Sequence, residues 1–545
     1  MIRMNKSLSL VSFLVSVLYI GLSLYVALIT RHTDVLLSST ILLITVLFIG
    51  FRFLFLFFPQ PFKKVLLFVL TVYCGYETFY GFFQLLGWKG SNNYLFALTG
   101  SFENPGPFGG FLAICISILG TYALKNPPKN SNSSRPIISY WLLLIVVLSS
   151  ITLLPATQSR TAILALSFCA VCFVITTKTE VTIKIKKSIK KNSLWIIIVA
   201  TCLLSFMYFI KKPSADGRIF MEKMSVLSIC KNGCKGAGPG HFGGAYGETQ
   251  ARYFQTQILD GSEDDLDWSV INEKDRLTAD CPVHAFNEYL TIGVEYGPIV
   301  MLLFLMLLSF AITVSFKTDE VWSYGLIAFA VFAFFSYPLH VKQFQIIIPI
   351  LLAACVSNNT TTYKYAERIG LVLSLLFILC NLKMMMPEIR QYKQSFASWQ
   401  ELKQWYEKEY YEFVVEDGDS LLPFLKNDQY FLFAYGQSLN KVGRYEESIS
   451  ILKLGTTISS NPMFWIIIGN NCLSLGRAQE AEKYYKHSFY MVPNRLYPLT
   501  LLAKLYYKEN KMDDFYDAVE KVKKFIPKVE SISTESLRKE IMELH

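Results

Sequence analysis

Several residues in this chain have the type and spacing to work on an anionic substrate. Gln158-Ser159-Arg160-Thr161 fills a very short turn between two apolar runs, and Asp216-Gly217-Arg218-Ile219-Phe220 follows directly after a third. A guanidinium is planar, permanently charged and forked, so it suits two-point contact with a phosphate. His284 opens the segment His284-Ala285-Phe286-Asn287-Glu288-Tyr289-Leu290, and Glu295-Tyr296-Gly297-Pro298 then leads into another apolar run. A neutral imidazole is the usual group for taking a proton from an attacking hydroxyl. Between them, Gly236-Ala237-Gly238-Pro239-Gly240-His241-Phe242 is a turn whose backbone can approach a ligand or simply fold tightly. A single arginine at the end of an apolar run commonly does no more than reach toward water. Two arginines and a histidine at three separate junctions make a stronger pattern.

Apolar runs must position these groups. The chain has 545 residues, 52% hydrophobic and only 17% charged, with a mean hydropathy of +0.35. Soluble proteins carry about 25% charge, so an ordinary soluble fold, a disordered chain and a disulfide miniprotein are all excluded. Runs near the length of about 20 residues that crosses a bilayer lie at 8–30, 35–57, 65–87, 105–124, 138–155, 161–177, 194–210, 297–316, 321–340, 344–356 and 369–386. The expectation is an all-α, polytopic membrane protein of about eleven spans. The first run follows Arg3 and Lys6, lacks a small-residue cleavage site and is followed at once by a second, so it reads as a retained anchor.

Charge sets the orientation. With the N-terminus inside, the inner loops hold Lys63, Lys64, Lys125, Lys129, Arg135, Lys317, Lys364 and Arg368, and 178–193 adds six lysines. The short outer loops hold only Arg31, Lys89, Arg160 and Lys342. This positive-inside bias accounts for the net +10 without nucleic acid as a partner. It predicts that the loop 211–283 and everything after the last span lie outside.

The chain divides accordingly into a membrane domain at 1–389 and a water-soluble domain at 390–545. The second part balances 21 Lys and Arg against 21 Asp and Glu. Gly443-Arg444-Tyr445-Glu446-Glu447-Ser448 recurs 33 residues later as Gly476-Arg477-Ala478-Gln479-Glu480-Ala481, and more weakly as Asn510-Lys511-Met512-Asp513-Asp514-Phe515. A period near 34 with paired amphipathic helices resembles tetratricopeptide repeats. Such a solenoid either caps the membrane part or offers a docking face to a protein partner. In the outer loop, Cys230-Lys-Asn-Gly-Cys234 reads equally as a disulfide-closed turn or as a free thiol pair, and it lacks the ligand set of a zinc site. Asp264-Asp265-Leu266-Asp267 contains the Asp-x-Asp with which metal-dependent glycosyltransferases hold a cation. Among so many neighbouring acids, however, it reads as a solvated stretch. Neither a phosphate-cradling Gly-x-x-x-x-Gly-Lys-Ser/Thr nor a dinucleotide fingerprint occurs.

In order and topology, Ser159-Arg160, Arg218, Gly236 to Phe242 and His284…Leu290…Glu295-x-Gly297 resemble the O-antigen ligase/polymerase superfamily of bacterial membrane glycosyltransferases. The likeness covers about residues 60–385 of the sequence. It departs where Ala285 stands in place of the usual asparagine, with Asn287 two positions on. The resemblance implies transfer of a glycan from a polyprenyl diphosphate to an acceptor hydroxyl on the periplasmic face of the inner membrane, as in lipopolysaccharide or other polysaccharide biosynthesis. It implies catalytic roles for His284, Arg160 and Arg218, with the arginines on the diphosphate and the histidine as base or acceptor-orienting group. It places Ser159, Gly236, Gly238, Gly240, Asn287 and Glu295 around the substrate, with no metal and no cofactor. The acceptor stays open among lipid A core, a growing glycan and a protein hydroxyl, which distinguish a ligase, a polymerase and a protein O-oligosaccharyltransferase. A lipid or glycan flippase is the non-enzyme alternative.

Overall fold

The computed structural model describes residues 2–127, 134–177, 182–183, 187, 208–209, 212–261, 266–318, 321–357 and 363–544. Apart from a few isolated positions, the basic segment 178–193 and the run 194–210 lie outside these, as do Asp264 and Asp265. The fold is all-helical, with no strand among the described residues.

A hairpin of α1 (Ile2–Thr30) and α2 (Val35–Phe57) opens the bundle, and the Asp34 side chain caps α2 by accepting from the Leu37 N–H at 2.8 Å. The helices α3 (Pro59–Leu85), α4 (Pro105–Lys125), α5 (Ser134–Leu153) and α6 (Arg160–Thr176) follow. Beyond them come α7 (Lys212–Asn232), α8 (Phe242–Gly261), the short α9 (Glu273–Thr278) and α10 (Glu288–Tyr296). The bundle resumes with α11 (Pro298–Lys317), α12 (Trp322–Phe334) and α13 (Lys342–Cys355), and α14 (Lys364–Glu407) carries the chain out of it.

Seven described helices are long and apolar enough to cross a membrane, among them α1 to α5, α11 and α14. Three more in the bundle are apolar but short. At 1.5 Å per residue, the 13 residues of α12 rise about 20 Å. Hydropathy alone merged α12 and the turn after it into one span at 321–340, but the helix stops at Phe334 and Phe335–Val341 is a connection containing a single 3-10 turn, Pro338–His340.

Helix α4 is the axis of the bundle. It packs against α3, α5, α6 and α12 and is almost wholly buried from Pro107 to Leu119. Glycine permits this closeness. A Cβ on Gly110 would strike the Phe332 ring, and one on Gly109 would lie 2.7 Å from the Ser159 Cβ, as expected where small residues let membrane helices approach.

A polar lock closes one end of the bundle. Arg52 on α2 donates Nε and Nη2 to the two carboxylate oxygens of Glu367 on α14 at 2.7 and 2.9 Å, and Nη1 to the Val356 carbonyl at 2.7 Å. Ser16 donates to the same carboxylate at 2.7 Å, and Ser12 to the same carbonyl at 2.9 Å. These contacts join α1, α2, the end of α13 and the start of α14.

The opposite end carries the second hydrophobic core. It is built jointly by residues of α7, α8 and α10 and by the helices after residue 390, with Phe220, Phe254, Val294, Leu452 and Phe489 all buried in it. Helix α14 runs unbroken for 44 residues through position 389. The change in composition at that point therefore falls inside one continuous helix rather than in a linker. After α15 (Tyr411–Leu425), three helix pairs follow: α16 (Gln429–Lys441) with α17 (Tyr445–Ile458), α18 (Met463–Ser474) with α19 (Ala478–Met491), and α20 (Tyr497–Lys508) with α21 (Met512–Lys524). The turns inside these pairs place Gly443, Gly476 and Asn510 at φ of +85°, +77° and +57°. That left-handed conformation favours glycine and tolerates asparagine, so the recurrent sextets mark one turn used three times. A last helix, α22 (Ile532–Leu544), packs on the third pair.

Candidate functional site

Both arginines line one cleft of about 760 Å³ at the end of the bundle where α6 begins. Arg160 is the first residue of α6, and Ser159 caps that helix, accepting from the Ala162 N–H at 3.4 Å and donating to the Gly106 carbonyl at 3.3 Å. The cap and the absent Cβ of Gly109 fix the corner from which Arg160 starts. Arg218, on the first turns of α7, donates Nη1 to the Phe335 carbonyl at 3.1 Å and lies over the Phe286 ring at 5.1 Å. Burial and then the Arg160 charge push its guanidinium below the ordinary value, with Tyr337 and Glu222 pulling the other way. No carboxylate is among the described residues lining the cleft.

Its far wall is the loop before α4, and Glu77 explains how that loop is held. Buried on α3, Glu77 accepts from the Ser101 hydroxyl at 2.5 Å and the Ser101 N–H at 3.0 Å. Gln84, two turns along the same helix, accepts from the N–H groups of Thr99 and Gly100 at 2.9 and 2.8 Å. The buried acid thus positions a wall.

His284 faces a different space. It lines a second cavity of about 530 Å³, together with Gly240, Glu288, Glu295 and His340. Its ring stacks on Tyr337 at 5.3 Å, Phe286 meets Tyr337 edge-on at 5.3 Å, and Arg218 lies over Phe286. The three residues expected to share one site therefore divide between adjoining spaces, with Tyr337 and Phe286 as the partition. Burial, and secondarily the neighbouring His340, push His284 down to about 3.

The glycine turn serves the second cavity. A Cβ on Gly236 would lie 2.5 Å from the Glu295 carbonyl oxygen, and Ala237 and Gly238 donate to the carbonyls of Val294 and Glu295 at 2.7 and 2.9 Å. Gly236 and Gly238 thus let the turn lie flat on the end of α10. None of the three glycines lines the arginine cleft, and only Gly240 reaches the cavity wall. Burial raises the Glu295 carboxyl to about 7, opposed by His340 and by the N–H groups of Gly240 and Phe242 that it accepts from. Asn287 lines neither space; it caps α10 by accepting from the Leu290 N–H at 3.2 Å, and its amide faces Glu222 at 3.5 Å.

Sequence reading passed over His340, Glu288, Tyr337 and Phe286. His340 Nδ1 lies 3.5 Å from Glu288 Oε1, Glu288 Oε2 accepts from the Leu339 N–H at 3.0 Å, and the rings of His340 and His284 are 4.0 Å apart. Burial lowers His340, but Glu288 and Glu295 together outweigh it and hold the imidazole above its ordinary value. The signal was present as Ser336-Tyr337-Pro338-Leu339-His340, since proline marks a break.

No group of three or more His, Cys, Asp or Glu with metal-binding placement occurs among the described residues. Asp267 accepts from the Ser269 N–H at 2.9 Å as a helix cap, and Cys230 and Cys234 are exposed, unbridged thiols. The chain matches no family model and no curated protein sequence.

Proposed function

We propose that the chain is a membrane glycosyltransferase of the O-antigen ligase type, moving a glycan from a polyprenyl diphosphate carrier to an acceptor hydroxyl. One observation carries the reading. Two arginines share a cleft whose described lining holds no carboxylate, and one of them is destabilised by the other's charge. Like charges that share a half-buried cleft favour an anion between them, and a diphosphate at the membrane interface is such an anion. Arg160 and Arg218 meet the charge of the departing diphosphate. His284, held near 3, is a poor proton acceptor at neutral pH and takes the acceptor-orienting role. The paired helices after residue 428 are read as a tetratricopeptide-like solenoid, the bundle as about eleven spans, and the solenoid and 211–283 as periplasmic, in a bacterial inner membrane.

The test is transfer from purified undecaprenyl-diphosphate-linked oligosaccharide to rough lipopolysaccharide, to a second lipid-linked glycan and to a Ser/Thr-bearing peptide, with the full chain in lipid nanodiscs. Transfer to one of the three is expected, undiminished by EDTA, because the arginines supply the countercharge. Activity lost with EDTA and regained with Mn²⁺ overturns the metal-free mechanism, and transfer to none overturns the reading.

Exposed Cys230 and Cys234 report the topology. A membrane-impermeant maleimide should label them in intact spheroplasts, with the label falling in the Cys230→Ser/Cys234→Ser protein to what the half-buried Cys281 takes up. Labelling only after permeabilisation places the site inside and reverses the orientation.

A further inference from the structure

We propose that His340, held by Glu288, is the general base that takes the proton of the attacking hydroxyl, and that the cavity it lines receives the acceptor. The proposal rests on the glycosyl-transfer reading above and assigns the half of the reaction that the arginines do not serve.

Charge separates the two spaces. The His340 cavity is bordered by Asp34, Glu288 and Glu295, and no lysine or arginine is among its described lining residues. An anionic diphosphate is repelled there, whereas a neutral hydroxyl finds hydrogen-bond partners. Below these groups the wall is apolar side chains of α1, α2, α11 and α13, which suits an acceptor with an apolar portion beside its hydroxyl.

The geometry of a base is present at His340. The Glu288 carboxylate lies 3.5 Å from Nδ1, the side from which an acidic residue orients a catalytic histidine so that its other ring nitrogen accepts the proton. Glu288 is itself held, since its second oxygen accepts the Leu339 N–H. Glu288 and His284 meet His340 directly; the other titratable groups of the cavity are Glu295 and Tyr296 from α10, Asp34 from the α1–α2 turn and Tyr19 from α1, while Tyr337 meets the His284 ring. Among them the two glutamates outweigh burial and keep His340 more basic than a free imidazole, while His284 is much less so.

The step balances. The hydroxyl proton goes to His340, and the hydroxyl oxygen forms a bond to the anomeric carbon. The bond from that carbon to the diphosphate oxygen breaks, its electron pair leaves with the diphosphate, and His340 returns its proton to water as products depart. Displacement at such a carbon puts nucleophile and leaving group on opposite faces. The step therefore requires the anomeric carbon to sit where the cavity and the cleft meet, beside Tyr337 and Phe286.

The test measures kcat/KM against pH for the full chain in nanodiscs, with undecaprenyl-diphosphate-linked oligosaccharide and whichever of the three acceptors the unaltered chain uses. The base must be deprotonated, so activity should rise with pH along a limb above the ordinary imidazole value of about 6.5. Glu288→Gln removes a charge that raises His340 and should move the limb to lower pH. His340→Gln should lose the limb and about 100-fold in rate while still binding donor. If that variant fails to insert, the Glu288→Gln limb shift decides alone. A limb retained in His340→Gln overturns the proposal, and so does one that disappears in Glu295→Gln yet is unmoved in Glu288→Gln. An unaltered chain that transfers to none of the three acceptors overturns the transfer reading and the base with it.

Discussion

Replacing Arg218 by lysine should lower transfer from a lipid-linked glycan by about 100- to 1,000-fold at matched membrane abundance, the usual loss when a preorganised donor to developing negative charge is removed. An ammonium keeps the charge but not the fork. Arg218 spends one N–H on the Phe335 carbonyl and rests on the Phe286 face, which leaves further donors of a five-donor group for two phosphate oxygens. Lysine offers three donors from a single nitrogen, without the planar fork that faces two phosphate oxygens side by side. Arg160→Lys should show a loss of the same order, because it too gives up the planar fork toward the same leaving group while keeping the charge. A purely structural role for Arg218, fastening the turn after α12, predicts that added guanidinium ion has no effect on an Arg218→Ala chain. Restoration of part of the rate by guanidinium, with no change in thermal stability, is the expected result. Near-normal transfer by Arg218→Lys removes the diphosphate assignment.

The sequence exposes the two halves of this site unequally. Arg160 and Arg218 stand out because each interrupts a change from apolar to polar residues, and a capping serine precedes the first. The base was concealed by averaging. Two helices of 13 and 14 residues with an intervening Tyr-Pro-Leu-His have nearly the hydropathy of longer spans, so the break that brings His340 into the site reads as the end of a helix. Glu288 lies 52 positions earlier, a separation that only the packing of α10 against the bundle closes. The glycine turn shows the converse. Its composition announces an unusual backbone path, which the φ values of +69°, +107° and +73° at Gly236, Gly238 and Gly240 bear out. The reason for that path, close contact with the end of α10, lies in residues some sixty positions away. The recurrent sextets were plainer, because one left-handed turn position is a local demand that glycine and asparagine meet by themselves.

The largest effect on stability is expected at the end of the bundle remote from chemistry. Arg52→Ala should lower the unfolding free energy by about 3–5 kcal/mol, because it strands the buried Glu367 carboxylate without its partner. The side chains of Arg52 and Glu367 are only 3% and 6% exposed, so water cannot take the place of the lost guanidinium. The residual donor is the Ser16 hydroxyl, one hydrogen bond for a full charge. Glu367→Ala should cost a similar amount, since it leaves a buried guanidinium with the Val356 carbonyl and the Ser12 hydroxyl alone. The double variant Arg52→Met/Glu367→Leu should be more stable than either single variant, because removing both charges removes the desolvation cost as well as the attraction. Thermal unfolding in a fixed detergent, followed by intrinsic tryptophan fluorescence, measures the three against the unaltered chain. Single variants as stable as the parent show that the pair is solvated or unformed, and a double variant weaker than both singles shows that the ion pair contributes net stability. The network joins α1 and α2 to α13 and α14 away from the arginine cleft, so the double variant should retain transfer, separating what holds the bundle together from what reacts in it.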